Sequence, residues 1–481
     1  MKKSIFLGCF LGLCTFWGQA QVEKGTGQNP YFRIEVVDAE NNWPVPLVEF
    51  KTVENIRFVT DNAGVIAFYE PDLMGKEVWF DITSHGYSVP KDGFGYRGAR
   101  LKPVSGGKAV VKVNRDMIAK RLGRLTGSGL FAESQKCGTD MDWQDAGVVG
   151  CDTVQTTPYK DHIFWAWGDT SLSPYPLGIF NTSAAKTPLP ETWAYPGQPP
   201  VKIKYDLFKN QEGKPRGVIP LPSEGPIWIG GTLSLKDKDG KEHLCTVYSK
   251  IKNFLQAYEK GLAVWNDEKE EFESVKVLWN KSSGKDAPSC PEGNQAFYTD
   301  EQGVEWVYFG SPLPNMRCRA TYEAWLEPEN WESVSTPRVL SSVKDESQVR
   351  LHSGSMQWSE HKKRWVSIFV EQGGSSFLGE VWYTEAPSPT GPWKKAVKVI
   401  THDHYTFYNP RLHPELLPKD CSYLLLEGSY SKQFSGNEYP TARYDYNQVL
   451  YRVDLDAPEL KSELFEPKIA IRKQGKARNS K

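Results

Sequence analysis

Five short runs rich in aromatic and β-branched residues recur along the chain, roughly every 50–70 residues, between about residue 126 and residue 465. In each unit a further apolar run and turns of Gly, Pro and Asp follow, and long helical periodicity is nearly absent. Strands separated by turns at this period are what a β-propeller requires, so the pattern predicts five blades. The leading runs are 162–167 (HIFWAW), 262–265 (LAVW), 305–309 (EWVYF), 364–369 (RWVSIF) and 423–426 (YLLL).

A different pattern precedes the repeats. Between residues 32 and 114, six short alternating runs such as 32–37 (FRIEVV) are separated by the turn residues of 41–42, 61–64 and 106–107. Six short strands in roughly 85 residues predict a small β-sandwich. The run 117–125 (MIAKRLGRL) is interpreted as a short helix or a linker. The predicted fold is therefore all-β, a small N-terminal β-sandwich followed by a five-bladed β-propeller.

The first twenty residues have the pattern of a secretory signal peptide. Lys2 and Lys3 are followed by the apolar run 5–17 and by 18–20 (GQA), a small-x-small cleavage site. We expect a secreted or periplasmic protein, cleaved near Ala20. The predicted segments are the signal peptide 1–20, the sandwich 29–116, a linker 117–128, the propeller 129–466 and a basic tail 467–481.

Charge and cysteine content limit the partners of the chain. With 58 Lys and Arg against 59 Asp and Glu, it has no basic surplus for binding phosphates, which disfavours a nucleic-acid partner. No later segment approaches eighteen apolar residues, so we expect no membrane span. Six cysteines follow the signal peptide. Export permits disulfides among them, and buried unpaired thiols are an equal alternative.

Three segments resemble known families. The run 384–393 (TEAPSPTGPW) resembles the outer-strand signature of five-bladed glycosidase propellers such as family 43 glycoside hydrolases. The pair 150–152 (GCD) and 167–170 (WGDT) is similar to the first blade of propellers related to bacterial endo-D-arabinanases. The segments 44–50, 60–64 and 86–87 resemble the carboxypeptidase-regulatory-like sandwich. The resemblance implies a propeller glycosidase with an N-terminal sandwich module. Modules of that kind rarely have catalytic activity.

Two acids of the first unit are the leading catalytic candidates. Asp152 follows a glycine just before a predicted strand, and Asp169 follows the strand 162–167 in a Gly-Asp-Thr turn. Glycoside hydrolysis needs two carboxyl groups on either side of the scissile bond. We assign Asp152 as general base or nucleophile, and Asp169 as acid, pKa modulator or positioning group. The alternative for both is an ordinary turn-forming role.

Glutamates of the fourth and fifth units compete for the role of proton donor. Glu371 ends an apolar strand against a glycine-rich loop, which favours a raised pKa. Glu380 begins the next strand, and Glu427 occupies the corresponding place in the fifth unit. Structural ion pairs with arginines are the alternative for all three.

The run 402–413 (HDHYTFYNPRLH) is the densest polar-aromatic segment. His404, Tyr405, Tyr408 and Arg411 together supply what a polysaccharide lyase needs, an arginine for a uronate and a Tyr or His to remove the C5 proton. No cofactor signature is present, although the alternating His402 and His404 are compatible with a divalent metal. The candidate substrate-binding residues are Trp167, His404, Tyr405, Tyr408, Arg411, Arg443 and Tyr444.

These features favour an exported glycoside hydrolase that acts on a plant, algal or microbial polysaccharide or oligosaccharide. The alternatives are a polysaccharide lyase acting on a uronate-containing glycan and a non-catalytic glycan-binding propeller. No P-loop, GxGxxG, GxSxG or HExxH motif is present. The expected partner is therefore a carbohydrate.

Overall fold

The computed structural model describes residues 22–23, 29–190, 196–253 and 255–465. The predicted signal peptide and the predicted basic tail lie outside these ranges. The described chain is nearly all β, with two short α-helices, Ala132–Lys136 and Tyr322–Leu326. Its 3₁₀ turns are Lys281–Ser283, Pro328–Asn330, Pro414–Leu416, Pro458–Leu460 and Ser462–Leu464.

The N-terminal part is a sandwich of two sheets around one core. Phe68 of the first sheet and Phe80 of the second contact each other edge to face, with ring centroids 5.2 Å apart. The alternating burial of Phe32–Asp38 shows why FRIEVVD forms a strand with one face in this core. The first sheet has the order Val22–Glu23, Lys108–Arg115, Phe32–Asp38, Val65–Phe68, with Tyr87–Ser88 paired to Lys108–Arg115. The second has the order Arg57–Val59, Glu49–Thr52, Val78–Thr83, Gly98–Leu101.

Five antiparallel sheets follow and form the blades of a propeller, which confirms the predicted fold class. The aromatic run 162–167 is a middle strand, buried on both faces because a neighbouring blade covers each of them. From the inner to the outer strand, blade 1 consists of Gln155–Tyr159, His162–Trp167, Ser183–Pro188 and Asp206–Leu207. Blade 2 consists of Ile227–Lys236, Glu242–Lys252, Gln256–Asn266 and Glu271–Asn280.

Blades 3 and 4 continue the ring. Blade 3 consists of Asn294–Thr299, Glu305–Gly310, Pro314–Arg319 and Glu332–Ser333, and blade 4 of Gln348–Ser359, Arg364–Glu371, Val381–Ala386 and Lys395–Ile400. A short strand, Val339–Ser342, pairs with both the inner and the outer strand of blade 4. The helix Tyr322–Leu326 follows the third strand of blade 3, and Thr321 Oγ1 caps it by accepting a hydrogen bond from Ala324 N at 3.3 Å.

Blade 5 closes the ring with a strand from far earlier in the chain. It consists of Thr406–Leu412, Tyr423–Ser431, Asn447–Asp454 and, outermost, Lys120–Arg124. The interpretation of 117–128 as a helix or linker is therefore wrong for residues 120–124. Helix propensity is a weak prior, and here a distant strand supplies the hydrogen-bond partners while Leu122 packs into the core between blades 5 and 1.

The strand Lys120–Arg124, which closes the ring, also attaches the sandwich to the propeller. Asn62 Nδ2 donates to Arg124 O at 2.8 Å, and Arg124 N donates back to Asn62 Oδ1 at 2.9 Å. Tyr444 of blade 5 donates its hydroxyl to Thr60 O at 2.8 Å. The sandwich is thus held against blade 5 by buried hydrogen bonds as well as by apolar contacts.

A small three-stranded sheet is inserted at blade 1. Its strands are Gly150–Cys151, Thr170–Leu172 and Tyr175–Ile179. Gly150–Cys151 and Thr170–Leu172 pair in antiparallel orientation. Asp152, which follows the first strand, and Asp169, which precedes the second, therefore lie side by side. This pairing positions the site described next.

Candidate functional site

The first residues of the five inner strands meet at one face of the propeller. Hydrogen bonds join each inner strand to the next around the ring. They are Gln155 Nε2 to Ile229 O (3.0 Å), Gly293 N to Gly230 O (2.5 Å), Asn294 Nδ2 to Gly354 O (2.7 Å), Asn409 N to Ser353 Oγ (3.2 Å) and Asn409 Nδ2 to Thr153 Oγ1 (2.8 Å). Side chains of blades 1, 2 and 5 are therefore neighbours at this face.

Asp152 lies on this face, half-buried, just before the inner strand of blade 1. Tyr408 of blade 5 donates its hydroxyl to Asp152 Oδ2 at 2.8 Å, and Tyr446 makes a second hydrogen bond to the carboxylate. Burial raises the pKa of Asp152, and the two tyrosine hydrogen bonds oppose that rise. The tyrosine hydrogen bonds orient the carboxylate and favour its ionised form.

Asp169 is the second carboxylate of the site. The indole Nε1 of Trp228, in blade 2, donates to Asp169 Oδ1 at 3.2 Å. Burial, followed by the negative charge of Asp152, raises the pKa of Asp169 from 3.8 to about 6. Within the described residues, neither carboxylate forms an ion pair with a Lys, Arg or His.

Gly168 is required for this arrangement. Its backbone N–H donates to Asp152 O at 2.8 Å, and a Cβ on Gly168 would lie 2.3 Å from Asp152 Oδ1. No side chain larger than hydrogen fits there without displacing the carboxylate. The Gly-Asp turn thus allows the two acids to approach each other.

Backbone strain surrounds the carboxylate pair. Thr153, Asn409 and Tyr446 all have positive φ angles, of 49°, 49° and 59°. A β-branched or aromatic residue in the left-handed region is uncommon, and such residues cluster at functional sites. Thr153 is held there because Ser429 Oγ accepts from its N–H at 2.9 Å.

Burial raises the pKa of both acids, and that of Asp169 reaches about 6. Around pH 6 Asp169 is partly protonated and can donate a proton, while Asp152 can act as base or nucleophile. Trp228 and Phe180, whose ring centroids are 6.4 Å apart, provide apolar faces beside Asp169. The arrangement suits a ring-shaped polar ligand.

Glu371 and Glu380, also predicted as catalytic, differ in environment. Glu380 is 1% exposed, pairs with Lys398 Nζ at 2.8 Å and accepts from Ser375 and Thr401, so its assignment as a proton donor is wrong. Glu371 is half-buried at the end of the strand Arg364–Glu371, where it pairs with Leu351 of the inner strand of blade 4. Burial raises the pKa of Glu371, and Trp382 Nε1 donates to it at 2.9 Å.

Of the predicted substrate-binding residues, Tyr408 alone contacts the carboxylate pair. Three others are core residues, and the structure corrects their assignment. Trp167 is 3% exposed and lies between Trp165 and Tyr205. Tyr405 stacks on Tyr430 and donates to Asp445 Oδ1 at 2.8 Å, and Tyr444 is bonded to the sandwich. His404 and Arg443 are exposed at the protein surface.

The assignment of Arg411 to substrate binding is also wrong, because its guanidinium bonds to other blades in the centre of the propeller. Its guanidinium donates to Thr156 Oγ1 at 2.8 Å, to Thr156 O at 2.6 Å and to Asn294 Oδ1. It thereby links blades 5, 1 and 3, and with 5% of its surface exposed it is a buried structural residue.

Buried charges surround Arg411. Burial alone lowers the pKa of His413, but the neighbouring Glu427 and Glu415 outweigh it and raise that pKa to about 9. Burial raises the pKa of Glu415, yet the hydrogen bond and charge of His413 bring it down to about 2. Glu427, fully buried beside His413, belongs to this charge cluster and does not reach the site.

The candidate residues predicted from the sequence do not include Trp228, Asn409 or Tyr446. A tryptophan two residues before the Gly230–Gly231 pair was a readable signal for Trp228. Asn409 gave little signal, because its role depends on a left-handed backbone and on Thr153 of another blade.

A cavity of about 450 Å³ lies elsewhere, behind the strand that carries Asp152. Cys151, Trp167 and Tyr205 line it. Because successive strand residues face opposite sides, Cys151 faces this cavity while Asp152 faces the site. The cavity does not contain the carboxylate pair.

Metal binding and disulfides find little support in the described ranges. His402 uses both ring nitrogens, with Gly379 O at 3.0 Å and Tyr451 OH at 2.7 Å, so it does not form a metal pair with the exposed His404. Across residues 22–23, 29–190, 196–253 and 255–465, no three His, Cys, Asp or Glu side chains converge as ligands. The six described cysteines are free thiols. None of the helices in the described part of the chain is long and apolar enough to cross a membrane.

Comparison with known proteins gives distant likenesses. No protein-family model and no curated protein matches the chain. Among solved structures, it is similar to an exo-1,5-α-L-arabinanase from a bovine ruminal metagenomic library, with a TM-score of 0.37 and 9% identity over 64% of this chain and 95% of that one. It is also similar to the native Bacillus subtilis arabinanase (TM-score 0.33, 10% identity, 63% and 93% covered) and to a mutant of the Cellvibrio cellulosa α-L-arabinanase (0.36, 12%, 64% and 92%).

Proposed function

We propose that the protein is an exported glycoside hydrolase that cleaves a polysaccharide or oligosaccharide at the mouth of the propeller channel. The observation that carries the proposal is the pair Asp152 and Asp169, two half-buried carboxylates without a cationic partner in the described chain. Glycoside hydrolysis requires a proton donor and a base or nucleophile, and we assign these roles to Asp169 and Asp152.

In the proposed reaction, Asp169 gives its proton to the glycosidic oxygen as the bond from that oxygen to C1 breaks. Asp152 either takes a proton from the water that attacks C1 or attacks C1 itself, after which water hydrolyses the glycosyl ester. Tyr408 and Tyr446 keep the Asp152 carboxylate oriented in both routes. Glu371 remains a second candidate for the proton donor.

The lyase alternative loses its residue set. Arg411 and Tyr405 are buried in other contacts, and the exposed side chain of His404 lies beside Asp403. A non-catalytic glycan-binding propeller differs from the hydrolase in product formation only. A direct activity screen therefore separates all three.

The test is a screen of the mature protein against polysaccharides and aryl glycosides, read for reducing ends and for ultraviolet absorbance. A hydrolase releases reducing ends without new absorbance. Products that absorb through a C4=C5 double bond would instead establish a lyase. Retention of a glycan in affinity electrophoresis with neither product would establish a binder.

The pH profile tests the assignment of Asp169 as the acid. We expect kcat/KM to fall on the alkaline side near pH 6, because Asp169 loses its proton there, and on the acid side as Asp152 becomes protonated. Trp228→Phe removes a hydrogen bond that lowers the pKa of Asp169, so the alkaline limb should move to higher pH.

Trp358→Phe is the matched control, since Trp358 donates its indole N–H to the exposed Glu360 at 2.9 Å, away from the site. It should leave the profile unchanged. An alkaline limb that stays in place in Trp228→Phe would transfer the role of proton donor to Glu371.

A further inference from the structure

Two exposed phenylalanines stand on loops beside the candidate site. Phe377 lies in the loop between the strands Arg364–Glu371 and Val381–Ala386 of blade 4, and it is 49% exposed. Phe434 lies in the corresponding loop of blade 5 and is 73% exposed. Between them lies His404, whose side chain is also 73% exposed. We refer to Phe377, His404 and Phe434 as the rim patch.

Hydrogen bonds fasten the three loops of the rim patch to one another. Ser376 Oγ donates to Tyr405 O, and Phe407 N donates to Leu378 O, both at 2.6 Å. On the other side, Thr406 Oγ1 donates to Gln433 O and Asn437 Nδ2 donates to His404 O. Phe377 and Phe434 therefore flank the same segment and form one surface.

The backbone holds part of this surface outward under strain. Phe434 and His404 have positive φ angles of 61° and 55°. A left-handed backbone is unfavourable for a bulky residue, and an exposed aromatic ring adds apolar surface in water. Both costs are present at Phe434, and residues held under such backbone strain cluster at binding sites.

The rim patch continues into the carboxylate site along the inner strand of blade 5. Thr406 is bonded to the Phe434 loop, and Tyr408, two residues later, donates to Asp152. Alternate residues of a strand face the same side, about 7 Å apart. A ligand seated at Asp152 thus reaches the patch within one or two further ring-sized units.

We propose that the rim patch binds sugar residues of a polysaccharide chain whose scissile bond lies at Asp152 and Asp169. A sugar ring offers an apolar C–H face and a hydroxyl edge. Each phenylalanine offers an apolar face to the C–H face of a sugar. Its polar neighbours in the chain, 372–376 (QGGSS) and 435–437 (SGN), offer hydrogen bonds to the hydroxyl edge. A protein partner would instead favour a contiguous apolar centre. The inference rests on the proposed function in taking the ligand to be a carbohydrate and its scissile bond to lie at the carboxylate pair.

The experiment compares the double variant Phe377→Ala/Phe434→Ala with the wild type. Phe94→Ala is the matched control, because Phe94 is 91% exposed on the sandwich. Retention by soluble polysaccharides is measured by affinity electrophoresis, and kcat/KM is measured on the polymer and on an aryl glycoside. We expect the double variant to lose roughly tenfold in polymer affinity and polymer kcat/KM, with aryl glycoside turnover unchanged.

The outcomes separate this inference from the proposed function. Unchanged polymer retention in the double variant, with aryl glycoside cleavage intact, overturns the rim patch and leaves the hydrolase standing. Retention that depends on the two phenylalanines, in a protein that cleaves no glycoside, supports the patch and refutes the hydrolase. A dimer seen by light scattering that the double variant abolishes, without glycan retention, assigns the surface to a second copy of the chain and overturns the inference.

Discussion

Asp152→Asn is expected to lower kcat/KM on any cleaved glycan by about 10²- to 10⁴-fold. Asparagine keeps the size of the side chain and still accepts a hydrogen bond from a tyrosine, but it cannot take up a proton or attack C1. The substitution also removes the charge that helps to raise the pKa of Asp169, which leaves less of the protonated acid near pH 6. Steady-state kinetics measures the loss.

Asp161→Asn is the control for this substitution. Asp161 belongs to the same blade, but its side chain is 96% exposed in the turn at the opposite end of the strand His162–Trp167. Its replacement should leave kcat/KM within twofold of the wild type, and both variants should keep the wild-type circular dichroism spectrum. An Asp152→Asn protein with full activity would falsify the assignment of the carboxylate pair.

Arg411→Ala should destabilise the protein by about 3–5 kcal/mol, because it leaves buried charges without their partner. Glu415 and Glu427 would face one buried cation, His413, in place of two. Thr156 O and Asn294 Oδ1 would also lose their donor. Chemical denaturation followed by tryptophan fluorescence measures the change in the free energy of unfolding.

Arg338→Ala provides the comparison, since Arg338 is exposed and should change the free energy of unfolding by less than about 0.5 kcal/mol. If Arg411→Ala instead keeps wild-type stability and loses glycan affinity, Arg411 binds the substrate. That result would restore the lyase set of residues.

Much of the architecture could be predicted because it depends on local patterns. The run HIFWAW is apolar on both faces, so it forms a strand that neighbouring blades cover, and FRIEVVD alternates, so it forms a strand with one buried face. The Gly-Asp pair at 168–169 predicted a turn between such strands. The structure places Asp152 and Asp169 side by side because the short strands beside them pair.

The errors have a common physical cause, which is that exposure depends on residues distant in the chain. Arg411, Tyr405 and Tyr444 look like binding residues, but Thr156, Asp445 and Thr60 take up their polar groups. Glu380 resembles a proton donor until Lys398 is seen beside it. None of these partners is adjacent in the chain to the residue whose polar group it binds.

The sequence by itself therefore determined the strand units, their number and the two acids of the first blade, because periodicity, turn chemistry and a Gly-Asp turn are local properties. Only the tertiary structure decided which polar side chains remain free. The closing strand Lys120–Arg124 and the tyrosines that orient Asp152 come from segments hundreds of residues away from their partners. Their contacts exist because ring closure brings the two ends of the propeller together, and no local pattern encodes that meeting.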